Sequence, residues 1–195
     1  MSNLVRDKWE KSMSYEEYIS LLERLVEEGK TTGPNQSETM AHHTKMAAQR
    51  IHKWQKIFKL NEEDAQQLDS GKKVNWLMIV EAWCGDVGQN LVPLKKIADA
   101  AGIELRLILR DENLDLIDEF LTNGGRSIPK LIAFDSETFE PLWDWGPRPQ
   151  ELQEWYLDKK SADDFSYEKV SEEMHLWYAK NRHKELLNEF KARLS

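Results

Sequence analysis

The chain has 195 residues, 40% of them hydrophobic and 32% charged, and a formal net charge of −8. That composition fits a soluble globular protein large enough to bury a core without covalent staples. The acidic balance argues against nucleic acid or an anionic membrane surface as the main partner. One cysteine excludes an internal disulfide and fits a reducing, cytoplasmic setting. The N-terminus, MSNLVRDKWEKSMSYEEY, has no apolar stretch of the kind a signal peptide needs, and no apolar run approaches membrane-spanning length.

In chain order, the stretch to about Asp69 reads as helices. Ser14 and Glu17 form a capping-box pattern that opens YEEYISLLERLVEEG, and Gly29 closes it. TTGPNQSE reads as a loop. Met40 to Leu60 is helical, with apolar residues at Met46, Ile51, Trp54, Ile57 and Phe58. Asp69-Ser70-Gly71 is a turn.

The middle changes character. Trp76 to Val80 is a short, wholly apolar run, as expected of a strand covered on both faces. Val87, Leu91, Leu94, Ile97, Ala98 and Ala101 recur at helical spacing, ended by Gly102. Leu105 to Leu109 is a second strand. Leu114 to Leu121 is a helix closed by Asn123-Gly124-Gly125. Leu131 to Phe134 and Pro141 to Trp145 are strands around the turn DSETFE, and Pro149 suits the first turn of a helix over Glu151 to Leu157. The order β-α-β-α-β-β-α predicts a four-stranded mixed α/β sheet with a right-handed parallel crossover and a closing hairpin.

After Ser161 the chain is helical again, with one stripe of Val170, Met174 and Trp177 and another of Leu187, Phe190 and Leu194 on the opposite side. Either the helix bends near KNRHKE or it buries two faces; the bend is the simpler expectation. The division predicted is a helical extension over 1–73, a core over 74–160 and a second helical extension over 161–195, joined as one compact domain.

Trp83-Cys84-Gly85 at the first strand-to-helix turn and Ser127-Ile128-Pro129 before the third strand resemble the two motifs of the thioredoxin superfamily. TTGPNQSE, EAWCGDVGQN, RDENLDL, NGGRSIPKLIAFD and WGPRP further resemble a bacterial thioredoxin-like subfamily with helical extensions. The resemblance implies that Cys84 is the nucleophile and that Pro129 is a cis-proline. Trp83, Gly85, Asp86, Arg126, Ser127, Ile128 and Pro129 then surround a bound substrate. A thiol attacks only as thiolate, and a helix N-terminus favours that anion. Arg126 is the candidate for stabilising the thiolate or for holding a carboxylate of a small thiol such as glutathione.

Four departures oppose ordinary dithiol turnover. Val87 stands where the resolving cysteine belongs. Met78 replaces a buried acid. Pro93 comes one residue later than the usual helix proline. Asp86 can cap the helix but disfavours a thiolate beside it. Two readings remain. In one, Cys84 acts alone in thiol–disulfide exchange with a protein or low-molecular-weight thiol. In the other, the domain is redox-inactive and binds an extended peptide or a partner protein along the Pro129 groove. The five histidines show no metal-site spacing, so neither a metal nor a resident cofactor is expected. Trp143 and Trp145 share one strand face and are core unless exposed together.

Overall fold

In the computed structural model, which describes residues 1–68 and 71–195, a five-stranded mixed sheet is wrapped by nine helices among the described residues. The strands are β1 (Met13–Ser14), β2 (Val74–Val80), β3 (Leu105–Leu109), β4 (Lys130–Asp135) and β5 (Pro141–Trp145), in the order β1-β3-β2-β4-β5. β2 and β3 are parallel, and every other neighbouring pair is antiparallel. The fold is a thioredoxin-like α/β architecture. The fifth strand corrects the expectation of four: β1 sits in the stretch read as wholly helical, and two residues are too few to leave a periodic signal.

The helices before the sheet are α1 (Ser2–Glu10), α2 (Tyr15–Glu27), α3 (Glu38–Ile57) and α4 (Glu62–Leu68). Ser14 and Glu17 do form a reciprocal capping box at the start of α2, and Gly29 follows its end at φ +64°. α5 (Gly85–Ala100) bridges β2 and β3, and its run Val87, Leu91, Leu94, Ile97 and Ala98 is buried. α6 is only Leu114–Ile117. The longer helix expected there stops because the chain turns through Asp118–Leu121 into a small bridge between Thr122 and Gly125. The turn expected at Asp69-Ser70-Gly71 lies partly outside the described residues.

α7 (Gln150–Lys160), α8 (Tyr167–Asn181) and α9 (Lys184–Leu194) complete the chain. Arg182 and His183, both left-handed at φ +52° and +62°, break the C-terminal helix inside KNRHKE. This lets Val170, Met174 and Tyr178 on α8, and Leu186, Phe190 and Leu194 on α9, all face the core. Trp143 and Trp145 pack against Phe190, with ring centroids 6.0 and 5.5 Å away, so the pair is covered by α9. No helix among the described residues is long and apolar enough to cross a membrane.

α3 crosses α5 at the turn that follows Cys84. A Cβ on Gly88 would meet the Ala47 Cα and carbonyl oxygen at 3.0 Å. Gly88→Ala gains about 1 kcal/mol of helix propensity. It loses about 1–3 kcal/mol by wedging two backbones apart. The expected result is a net destabilisation of about 1 kcal/mol, read as a lower thermal midpoint. An unchanged or raised midpoint would show that α3 is free to give way.

Candidate functional site

β2 is followed by Glu81, Ala82 and Trp83, and Cys84 is the N-cap of α5. Buried strand residues lead into a short turn whose Glu81 and Ala82 are also buried, so the cysteine position is anchored to the core. Opposite it, the segment before β4 carries Ile128, whose bond to Pro129 is cis. The Cys84 thiol donates to the Ile128 carbonyl, with Sγ···O 3.3 Å. The two segments that share the motif resemblance therefore touch.

The sulfur is not set up as a thiolate. Cys84 is only 7% exposed. Burial, reinforced by the Asp86 carboxylate, pushes its pKa up to about 12, although the Asp86 and Val87 amides of the first helical turn face the sulfur and pull the other way. The expectation of a helix-stabilised thiolate thus meets a larger opposing effect. Two amide donors and a half-charge of helix dipole do not offset removal of an anion from water next to a like charge.

Asp86 does not cap α5. It lies in the first turn and turns outward to Arg148, with Nη2···Oδ2 2.8 Å and both side chains mostly buried, while the Tyr178 hydroxyl donates to it at 3.3 Å. Arg148 follows a second cis bond, Gly146–Pro147. Asn90 donates to the Tyr178 hydroxyl at 2.9 Å, completing a buried polar group that ties α5 to α8.

A cavity of about 820 Å³ opens over this point, with Trp83, Cys84, Gly85, Asp86, Arg126, Ser127 and Ile128 on its wall. Pro129 is buried behind it, and Pro147 stands at the wall instead. Arg126, the candidate for stabilising the thiolate or holding a substrate carboxylate, pairs with Asp118 through Nε and Nη2 at 2.6 and 2.7 Å, with both side chains exposed. Arg110 lies over the Trp83 ring at 5.0 Å and pairs with Asp111 at 2.7 Å.

The cation left available is Arg50 of α3, for which no carboxylate lies within ion-pair distance among the described residues. A Cβ on Gly85 would meet its Nη1 at 3.1 Å, so the guanidinium lies against the start of α5. Its other nitrogen, Nη2, donates to His175 Nε2 of α8 at 2.7 Å. Burial and the neighbouring Arg50 push His175 down to about 4, so this ring is neutral and accepts. Neither residue was visible as a site residue in the sequence. Arg50 lies 34 positions before Cys84 and His175 lies 91 after it, on elements whose packing only the fold reveals.

The one fully buried acid among the described residues also left no signal in the sequence. Met78, fully buried on β2, is apolar as expected. Glu81, three residues on, is 0% exposed. Its carboxylate accepts from Thr32 Oγ1 and from the Asp111 amide at 2.8 Å, while the Ala82 amide donates to Thr32 Oγ1 at 2.9 Å. Burial raises its pKa above the usual range. Glu81 thus fastens the TTGP loop beneath the cysteine-bearing turn.

A family model described as thioredoxin matches residues 33–190. A Pseudomonas aeruginosa protein of unknown function, known from a crystal structure, is similar in fold at TM-score 0.58 and 17% identity, over 93% of this chain and 90% of that one. An HIV epitope-scaffold is similar at TM-score 0.52 and 21% identity, over 92% of this chain and 96% of that one. No curated protein matches the sequence. With the strand order, the Cys84 turn packed on the Ile128 loop and a family match across most of its length, the chain belongs to the thioredoxin family.

Proposed function

We propose that this protein is a thioredoxin-fold binding module that takes an extended, acidic peptide segment of a partner protein into the cavity beside Ile128, with Cys84 as a protonated wall residue. The observation that carries this reading is the state of the sulfur: buried, donating to the Ile128 carbonyl, and pushed up to about 12. A thiol in that state contributes shape and a weak hydrogen bond, not a nucleophile. Two further features support an acidic ligand. The cavity of about 820 Å³ falls in the range of ligand sites, about 300–1,000 Å³. Arg50 offers it a cation not committed to a carboxylate among the described residues, and a bidentate guanidinium suits a carboxylate.

The test uses a short acidic tetrapeptide and its lysine counterpart, titrated into the full chain and followed by amide chemical shifts. The acidic peptide is expected to bind and shift Trp83, Gly85 and Ile128, and the lysine peptide is not. Arg50→Ala should weaken binding about tenfold or more, and Cys84→Ser should leave it within about twofold. Equal binding of both peptides, or no loss with Arg50→Ala, would remove the reading.

A second reading, monothiol exchange, is favoured by one observation: Cys84 reaches the cavity wall with two helix amides facing its sulfur. In it, the Cys84 thiolate attacks a disulfide, forms a mixed disulfide and releases the other sulfur as thiolate. A second thiol from solution then displaces Cys84. A mixed disulfide with oxidised glutathione, detected by mass at neutral pH, would favour this reading over the first.

A further inference from the structure

A second cavity, of about 510 Å³, lies where the end of α3 meets the α8–α9 break, away from Cys84. Its wall includes Trp54, Phe58 and Leu187 on the apolar side. Four basic side chains, Lys53, Lys59, Arg182 and Lys184, also border it. Among the described residues none of these four has a carboxylate within ion-pair distance. The one acid on the wall among the described residues, Asp64, is committed to Lys191. Unbalanced positive charge gathered at one cavity is notable in a chain of net charge −8.

The inner wall carries the second, independent observation. His183 is 1% exposed, and among the described residues neither of its ring nitrogens has a hydrogen-bond partner. The ring lies edge-on against Trp54 and Phe58, at centroid distances of 4.3 and 5.7 Å, and tilted against Tyr178 at 5.6 Å. Burial and the nearby Lys53 charge push it down to about 3, so it is neutral and keeps one N–H to donate. Buried polar groups are almost always satisfied, and a bare one lining a cavity marks a place where a ligand supplies the partner. The first turn of α9, for which His183 is the N-cap without a side-chain cap, adds positive potential on the same side.

We propose that this cavity binds a small organic oxyanion: a phosphate or carboxylate that meets the His183 N–H and the Lys53, Lys59, Arg182 and Lys184 charges, on an apolar body that lies against Phe58 and Leu187. The volume is within the range of ligand sites, about 300–1,000 Å³. Cations supply attraction from solution, and the buried ring supplies direction. This site is independent of the Cys84 cavity and does not rest on the function proposed for it.

The experiment titrates phenyl phosphate, benzoate, inorganic phosphate and benzylamine into the full chain labelled with ¹⁵N-histidine. The His183 ring nitrogens are followed by NMR. A saturable ring shift with phenyl phosphate or benzoate supports the site, and the tighter of the two identifies the head group. Inorganic phosphate, lacking the apolar body, should bind about tenfold more weakly. The surface variant Lys53→Glu/Lys184→Glu, which leaves His183 and the core in place, should lose about tenfold or more in affinity. Arg50→Ala should lose none. No saturable ring shift with either aromatic anion, benzylamine binding as well as they do, or full affinity in the charge-reversed pair each overturns the proposal.

Discussion

Iodoacetamide is expected to label Cys84 of the folded chain far more slowly at neutral pH than it labels a free cysteine, with a rate that keeps rising well into the alkaline range. With a thiol pushed up to about 12, the thiolate fraction at pH 7 is about 10⁻⁵, against about 3% for an unperturbed cysteine near 8.5. The steric cover of the buried sulfur lowers the rate further. Asp86 is the second cause of the shift after burial, so Asp86→Asn should accelerate labelling, and the same variant releases Arg148 to face the sulfur. The sign for stability follows. A folded pKa above the unfolded one means that the unfolded chain loses this proton first, so Cys84 draws stability down as pH rises from about 9 to about 12. Cys84→Ser should flatten that alkaline decline. A labelling inflection near or below neutral pH would contradict the whole account of the sulfur and restore the nucleophile.

Gly146→Ala is expected to be the most damaging small substitution in the chain. Gly146 has φ +126°, a region closed to side chains, and a Cβ there would lie 2.1 Å from the Pro129 carbonyl oxygen and 3.1 Å from its carbon. Both obstacles are backbone, so no rotamer change relieves them. The loop carrying Pro147 and Arg148 would have to lift from the Ile128–Pro129 segment, and Arg148 would leave Asp86. Strain and lost packing of this kind cost about 3–5 kcal/mol, a large part of the roughly 5–15 kcal/mol that holds a domain together. Urea unfolding should show a sharply lower midpoint with an unchanged slope. A midpoint equal to that of the parent would mean that the two proline loops do not lean on each other as described.

The legible parts of this protein are those whose signal is local. The apolar run of β2, the helical spacing from Val87 to Ala98 and the Ser14–Glu17 cap each record in a few consecutive residues how that segment is satisfied. With the Cys84 and Pro129 motifs they sufficed for four of the five strands, the parallel β2–β3 pair and the thioredoxin resemblance. Two residues of β1 and one turn of α6 left no such periodic record, and both were misread.

The site divides along the same line. The sequence singled out Trp83, Cys84, Gly85, Asp86 and Ile128, which line one cavity because the strand-to-helix turn and the loop before β4 meet here. It offered Arg126 for the thiolate or for a small thiol's carboxylate, and the structure adds a partner that spacing did not show, Asp118, eight residues away. Arg50, His175 and Glu81 act through partners 125, 125 and 49 positions distant, and no spacing rule reaches that far. The protonation state of Cys84 belongs to the tertiary structure most of all. A helix start favours a thiolate, and that much is written in the order of residues. How much water is left around the sulfur depends on what packs over it, and here burial outweighs the dipole.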